Sequence, residues 1–359
     1  TRIVSCSKDN TIKIWDIATG RCLHTLRGHT DWVRAVAVTP DGTRIVSGSE
    51  DNTVKIWNIE TGRCIRTLRG HSKEMYRFKV YSGVNTVAVT PDGTRIVSGA
   101  VDKSVMVWDI ETGNYIHIFT GHTNSVNAVA VTPDGTRVIS GSGDKTVKIW
   151  NIERGLRLRR CLHTLRGHTD GVDAVAVTPD GTRIVSGSED KKVKVWDIET
   201  GRCLRTLEGH TADVIAVAVT PDGTRIVSSS CDNTVKVWDI ETGQCLHTLK
   251  GRTKRMKTAQ RVNAVAVTPD GTHIVSGSED KKVKVWDIET GRCLHTLKGH
   301  AAPVWAVAVT PDGTHIVSGS DDATVKIWDI VTGRCLHTLR GHIDWVRAVA
   351  VTPDGTRIV

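Results

Sequence analysis

Short runs rich in Val, Ile and Leu recur from one end of the chain to the other, each bounded by turn-forming residues. The segment after residue 32 shows the pattern. Val33–Val38 (VRAVAV), Thr43–Ser47 (TRIVS), Thr53–Asn58 (TVKIWN) and Arg63–Leu68 (RCIRTL) follow one another as four runs, here named a, b, c and d. Their β-branched content and brevity predict strands rather than helices. The tetrapeptide TPDG joins a to b eight times. Its Pro presets φ, its Asp caps the turn and its Gly accepts the left-handed conformation of a tight hairpin.

The four runs form a unit that repeats. Trp followed by Asp or Asn stands at positions 15, 57, 108, 150, 196, 238, 286 and 328, with spacings of 42, 51, 42, 46, 42, 48 and 42. The unit is therefore 42 residues, lengthened three times, by 9, 4 and 6. A lone four-stranded sheet cannot bury both faces. Copies stacked radially bury them against one another, and closing the ring removes the unpaired end, which predicts an all-β propeller. With Gly-His near its start and Trp-Asp near its end, the unit resembles the WD40-repeat family, whose blades run to about 40–45 residues. The near-identity of the copies is most similar to repeat arrays of some bacterial and fungal members. Such arrays often follow a signalling ATPase module, which is not visible in this sequence.

Residues 28–46 (GHTDWVRAVAVTPDGTRIV) return at 341–359 with one change, Thr30 against Ile343. Runs a, c and d each occur eight times and TRIV-like run b nine times. The N-terminus thus supplies b, c and d of a blade whose a strand comes from Val346–Val351. Pairing the ends gives eight blades in one domain over 1–359, with blade 8 shared between 1–27 and 341–359 and blades 1–7 within 29–340. One TRIV copy is then surplus. The rival is a seven-bladed ring over 29–340 with both ends loose, which would leave strand-like segments unpaired. A start at Thr1 suggests a piece of a longer protein.

Each unit also carries a polar quartet, with Ser ten and Asp six residues before Trp. The sets are His29, Ser47, Asp51 and Trp57; His71, Ser98, Asp102 and Trp108; His122, Ser140, Asp144 and Trp150; His168, Ser186, Asp190 and Trp196; His210, Ser228, Asp232 and Trp238; and His300, Ser318, Asp322 and Trp328. Blade 8 completes His342, Ser5, Asp9 and Trp15 only if the ring closes. Ser, His and Asp together suggest a hydrolase, but eight copies suit a structural clip better than an active site. The resemblance implies a chain of hydrogen bonds from Trp to Ser to His to Asp. Blade 6 has Ser276, Asp280 and Trp286, but Arg252 where His is expected. Arg cannot accept a hydrogen bond, so this blade is expected to be looser by about 1–3 kcal/mol.

Where near-identical copies differ, individual blades can act. In an antiparallel meander the d–a and b–c loops share one rim, and this rim varies. The residue before the first Val of strand a is Trp32, Gly83, Ser125, Gly171, Asp213, Arg261, Pro303 or Trp345. The residue after that Val is Arg34, Asn85, Asn127, Asp173, Ile215, Asn263, Trp305 or Arg347. The residue before the quartet Asp is Glu50, Val101, Gly143, Glu189, Cys231, Glu279, Asp321 or Lys8. Trp32, Trp305 and Trp345 are the three Trp outside the repeat position, and a closed ring puts them on neighbouring blades beside Arg34 and Arg347. Exposed Trp and Arg together have hot-spot composition. Recent duplication of one blade and packing of the rings against adjacent blades are the competing readings.

The net charge of +9 is local: residues 252–261 (RTKRMKTAQR) contribute +5 and 154–160 (RGLRLRR) +4. Basic loops can hold polyanions through residues such as Lys254, Arg255 and Lys257. They face opposite rims and lack interleaved aromatics, which favours plain solvated loops. The insertion at 72–83 brings Tyr76 and Phe78 to the variable rim, as a contact loop or as a plug over a blade seam. Seven of nine cysteines occupy one repeated position, too far apart in successive copies to bridge. Reduced thiols and a cytoplasmic setting are expected. No phosphate loop, zinc spacing or calcium loop is present, so no cofactor or metal is expected. The reading is a non-catalytic scaffold or sensor for a protein or peptide, with nucleic acid or another polyanion as the alternative partner and no membrane association.

Overall fold

A computed structural model describes residues 1–72, 83–153, 161–250 and 260–353, together with the backbone of 74–76 and 79–81. In blade 1, strand a is Val33–Val38, b is Arg44–Ser49, c is Thr53–Asn58 and d is Cys64–Arg69. Strands a and c are as expected from the sequence, and b and d differ by a residue or two at their ends. Eight four-stranded antiparallel meanders of this kind make an eight-bladed propeller. The a strands of successive blades touch one another around the centre, blade 8 to blade 1 included, and the d strands form the outer edges.

The ring closes through the two ends of the chain. Strand a of blade 8, Val346–Val351, pairs with strand b, Arg2–Ser7, and c (Ile12–Asp16) and d (Cys22–Leu26) follow. Ile3 lies opposite Val351, Val4 opposite Ala350 and Ser5 opposite Val349. Thr352 extends the clasp: its hydroxyl accepts from the Arg2 backbone N–H at 2.8 Å, and its own N–H donates to Arg2 O at 2.9 Å. The seven-bladed alternative is thereby replaced. The surplus TRIV copy, 356–359, lies outside the described residues.

The hydrophobic core is a set of seams between blades. Val46, Val54, Ile56 and Leu68 of blade 1 meet Val84, Ile96, Met106 and Trp108 of blade 2. The closing seams are built the same way, with Val317, Val325 and Ile327 against Ile3 and Trp15, and Val4, Ile12 and Ile14 against Val33, Ile45 and Trp57. Each fully buried Val, Leu or Ile stabilises by about 1.5–3 kcal/mol, and a blade secures that gain only beside its neighbours. On the invariant rim, Arg2 bridges to Glu60 of the next blade, as Arg44 does to Glu111 and Arg137 to Glu199. Inside the insertion, Glu74–Tyr76 and Lys79–Tyr81 pair as a short ribbon.

Two details of strands a and b matter for the rim. The ladder between them breaks once per blade. Val33 pairs with Ser49 and Ala35 with Gly48, leaving Arg34 as a bulge. Asn85, Asn127, Asp173, Ile215, Asn263, Trp305 and Arg347 are skipped in the same way. A bulge re-aims the side chain it carries. The second detail is a close approach: a Cβ on Gly48 would stand 2.7 Å from Val84 Cγ1 of the next blade, and five other blades repeat this contact or one within 0.1 Å of it. Blade 5 instead has Ser229, fully buried, with Oγ lacking a hydrogen-bond partner among the described residues, while blade 8 accepts Cys6 at this position. An unpaired buried hydroxyl costs about 1–3 kcal/mol. Ser229→Ala keeps the Cβ and removes the hydroxyl, so it should raise the urea midpoint, with a gain in unfolding free energy of about 1–3 kcal/mol. An unchanged or lower midpoint would mean that the hydroxyl is satisfied.

Candidate functional site

The quartets assemble first. Trp57 Nε1 donates to Ser47 Oγ at 2.9 Å, Ser47 Oγ lies 2.8 Å from His29 Nε2, and His29 Nδ1 lies 2.8 Å from Asp51 Oδ2. Ser47 accepts from the indole, which leaves its own proton available for Nε2, and Nδ1 faces the carboxylate. The same chain joins Trp108, Ser98, His71 and Asp102; Trp150, Ser140, His122 and Asp144; and Trp196, Ser186, His168 and Asp190. It also joins Trp238, Ser228, His210 and Asp232; Trp328, Ser318, His300 and Asp322; and, across the chain ends, Trp15, Ser5, His342 and Asp9. In blade 6 Trp286 reaches Ser276 at 2.9 Å and Asp280 turns to Lys282 at 3.1 Å. Arg252 lies outside the described residues.

The carboxylate also grips the b–c turn. Asp51 accepts from the backbone N–H and hydroxyl of Thr53 and from the N–H of Thr30. Thr53 is a fifth member that the quartet spacing missed, although Asp-x-Thr or Asp-x-Ser recurs in the sequence at Thr11, Ser104, Thr146, Thr234 and Thr324. Blades 4 and 6 carry Lys192 and Lys282 there. In the seven blades whose His is described, the chain of bonds closes within one blade and acts as a clip.

The three variable columns form one spot per blade. The residue before the quartet Asp donates its N–H to the carbonyl of the residue before strand a: Glu50 to Trp32, Glu189 to Gly171, Asp321 to Pro303, Lys8 to Trp345. The bulge residue sits between them. The two outer positions are tied by that backbone bond, which any side chain permits. Several Asn bulges have structural work: Asn85, Asn127 and Asn263 donate to the carbonyl of Val126, Val172 and Val304 on the next blade.

On blades 7, 8 and 1 the spots merge. Lys8 Nζ sits 3.7 Å above the Trp32 ring and 3.6 Å from the Trp345 ring, and Arg347 Cζ lies 4.2 Å from Trp305 and 4.9 Å from Trp345. Rings and cations therefore alternate in the order Trp305, Arg347, Trp345, Lys8, Trp32. Arg34 is held by Glu50, through Nη2 at 2.6 Å and Nε at 2.9 Å. Trp32 and Trp345 stay 38% exposed, so the rings are not merely filling a seam. A recess of about 250 Å³ opens here, lined by Lys8, Trp32, Arg34, Glu50, Asn85, Trp305 and Arg347. Lys8 was not among the sequence-derived patch residues. It reaches the patch only because the ring closes, and its signal was its place in the third variable column. Burial and the nearby Arg347 depress its pKa. Trp305 Nε1 and Asp321 Oδ1 are buried and meet no partner in full hydrogen-bond geometry among the described residues; burial raises the Asp321 carboxyl, and the Trp305 N–H beside it acts the other way.

Across the ring, blade 4 has the opposite charge. Burial and the neighbouring Glu189 push the Asp173 carboxyl up to about 6, and burial raises Glu189 with Asp170 and Asp213 adding to it. The side chain of Tyr76 and all of Phe78, Lys254, Arg255 and Lys257 lie outside the described residues, as does the basic loop 154–160. Among the described residues no helix is long and apolar enough to cross a membrane.

The fold and its clips define a repeat propeller, and comparison with known proteins places it. A family model described as WD domain, G-beta repeat matches residues 1–16, 20–58, 62–109, 113–151, 159–197, 201–239, 243–287, 291–329 and 333–359. The chain belongs to the WD40 family. Over 40 residues it is 58% identical to the nuclear distribution protein PAC1 of Arthroderma otae, a match covering 11% of this chain and 9% of that protein. Over 40 residues it is 55% identical to PAC1 of Coccidioides posadasii, covering 11% and 8%. The match thus spans less than a tenth of the length of these curated relatives. Among solved structures, the crystal structure of the computationally designed Ika8 protein is similar, with a TM-score of 0.78 and 37% identity over 92% of this chain and 93% of that one.

The clips carry a pH signature. Burial alone would raise the quartet carboxyls, but the His and Thr or Ser partners and the backbone N–H outweigh it. They hold Asp9, Asp51, Asp144, Asp232 and Asp322 well below the usual carboxylate range and Asp102 at about 2. A carboxyl depressed in the fold contributes stability above its unfolded pKa of about 3.9 and loses it as pH falls through the folded value. The urea midpoint should therefore fall steadily from about pH 4 toward pH 2, and a flat profile would contradict the clip. At neutral pH, Ser47→Ala should cost about 1–3 kcal/mol, by stranding the Trp57 N–H and His29 Nε2.

Proposed function

We propose that this chain is a scaffold or sensor that holds a protein or peptide partner on the rim of its d–a and b–c loops. WD40 propellers are typically interaction scaffolds and are generally non-catalytic, and the Ser–His–Asp sets read as clips. One observation carries the assignment to this rim. The side chains that differ from blade to blade collect there, and on blades 7, 8 and 1 they bring Trp32, Trp305 and three cations to one recess, with the Trp345 ring against Lys8 and Arg347 beside it. Trp and Arg dominate interface energetics because they combine apolar area with directional hydrogen bonding. Trp305 makes duplication an insufficient reason for the cluster, because it comes from a different column than Trp32 and Trp345. All nine cysteines are free, six of them exposed, which supports a reducing, cytoplasmic setting.

The test is affinity capture from host lysate, using the wild-type domain and a Trp32→Ala, Trp305→Ala, Trp345→Ala variant shown to fold. A protein retained by the wild type and lost by the variant supports the rim. Equal capture by both would remove the patch. If that shared material is then released at high salt, a polyanion held by the basic loop 252–261 becomes the better reading.

A further inference from the structure

The recess on blades 7, 8 and 1 contains more positive charge than its own residues neutralise. Arg34 is held by Glu50. Arg347 has no comparable ion pair among the described residues: its guanidinium is stacked between the rings of Trp305 and Trp345. A guanidinium held against aromatic rings keeps N–H donors along its edge for a ligand. Lys8 is held in the same way, between the rings of Trp32 and Trp345. The lining therefore holds three cations, Lys8, Arg34 and Arg347, against one carboxylate, Glu50. The cations also repel one another: after burial, Arg347 lowers the pKa of Lys8, and burial and Arg34 lower that of Arg347 while Asp321 acts against them. An anion between them would relieve that repulsion in a site half shielded from water, where charge-assisted bonds are strongest.

The surroundings narrow the kind of anion. Glu50, Asp321 and Asp344 lie close enough to act on Lys8 or Arg347, so a doubly charged phosphate meets more opposing charge than a carboxylate does. The flat N–H edge of a guanidinium matches a carboxylate with two parallel bonds. The exposed faces of Trp32 and Trp345 suit the methylenes and backbone of a peptide carrying that carboxylate. The ring also fixes where such a group can enter. Blade 4 lies directly across the eight-bladed ring from blade 8, and its bulge residue is Asp173, where Arg347 stands on blade 8. With Glu189, Asp170 and Asp213 close by, that side turns anions away.

We propose that this recess binds an acidic peptide segment of the partner, with Arg347 and Lys8 holding a carboxylate and the Trp32 and Trp345 rings flanking the chain. The proposal rests on the rim being the interaction face and adds the chemistry of what is bound.

Isothermal titration calorimetry of the full chain with a capped tetraglutamate peptide tests it, with tetraglutamine, tetralysine and inorganic phosphate as comparators. Tetraglutamate should bind, with tetraglutamine, tetralysine and phosphate at least tenfold weaker. Arg347→Gln and Lys8→Gln should each weaken tetraglutamate binding at least tenfold, with folding checked by near-ultraviolet circular dichroism. If Arg347→Gln misfolds, Lys8→Gln carries the comparison. No binding by the wild type, equal binding of phosphate, or full binding by a folded variant would overturn the proposal. The two readings fail separately. If the triple Trp variant loses a cellular partner but tetraglutamate does not bind, the rim stands and the acidic chemistry falls.

Discussion

Everything in this molecule depends on the fact that a four-stranded blade has two apolar faces and no means of covering them alone. Each seam takes Val, Ile and Leu from one blade and the Trp-bearing face of the next. Any break in the ring would expose two such faces at once. The pairing of Arg2–Ser7 with Val346–Val351 therefore does more than tidy the chain ends: it covers the last two faces with the same residues used at every other seam. It also completes a clip from His342 at one end and Ser5, Asp9 and Trp15 at the other.

Repetition explains why the fold was so legible. Strand limits, the TPDG turn and the quartet follow from residue types that recur at fixed spacing, and near-identical copies leave little room for a wrong period. Closure was legible too, because the count of a, b, c and d runs left the ends complementary. The role of Thr53 was present as Asp-x-Thr but was hidden by the stronger Trp, Ser, His and Asp signal. The bulge at Arg34 and its equivalents had no signature at all. A register shift is a property of two paired strands, and VRAVAV reads as an unbroken strand when taken alone.

That bulge links repetition to function. It turns one residue per blade out of the ladder, beside two further residues whose only fixed duty is a backbone hydrogen bond. A rigid frame thus carries three replaceable side chains per blade, and the copies differ mainly there. On blades 7, 8 and 1 the result is a ladder of Trp rings and cations, and on blade 4 a crowded carboxylate. Sequence placed the Trp and Arg near one another. It could not place Lys8 between two rings, because that contact joins residue 8 to residues 32 and 345 through the closed ring.

Hydrogen exchange of the backbone, followed by mass spectrometry, tests the closure on which the clip of blade 8 and the recess both depend. Amides of 2–7 and 346–351 should exchange as slowly as the corresponding strands of blades 2 to 5, because all are paired ladder strands of one cooperative ring. Exchange of 346–351 at the rate of a free chain end, with the other inner strands protected, would mean that the ring is open and that Lys8 does not meet Trp345.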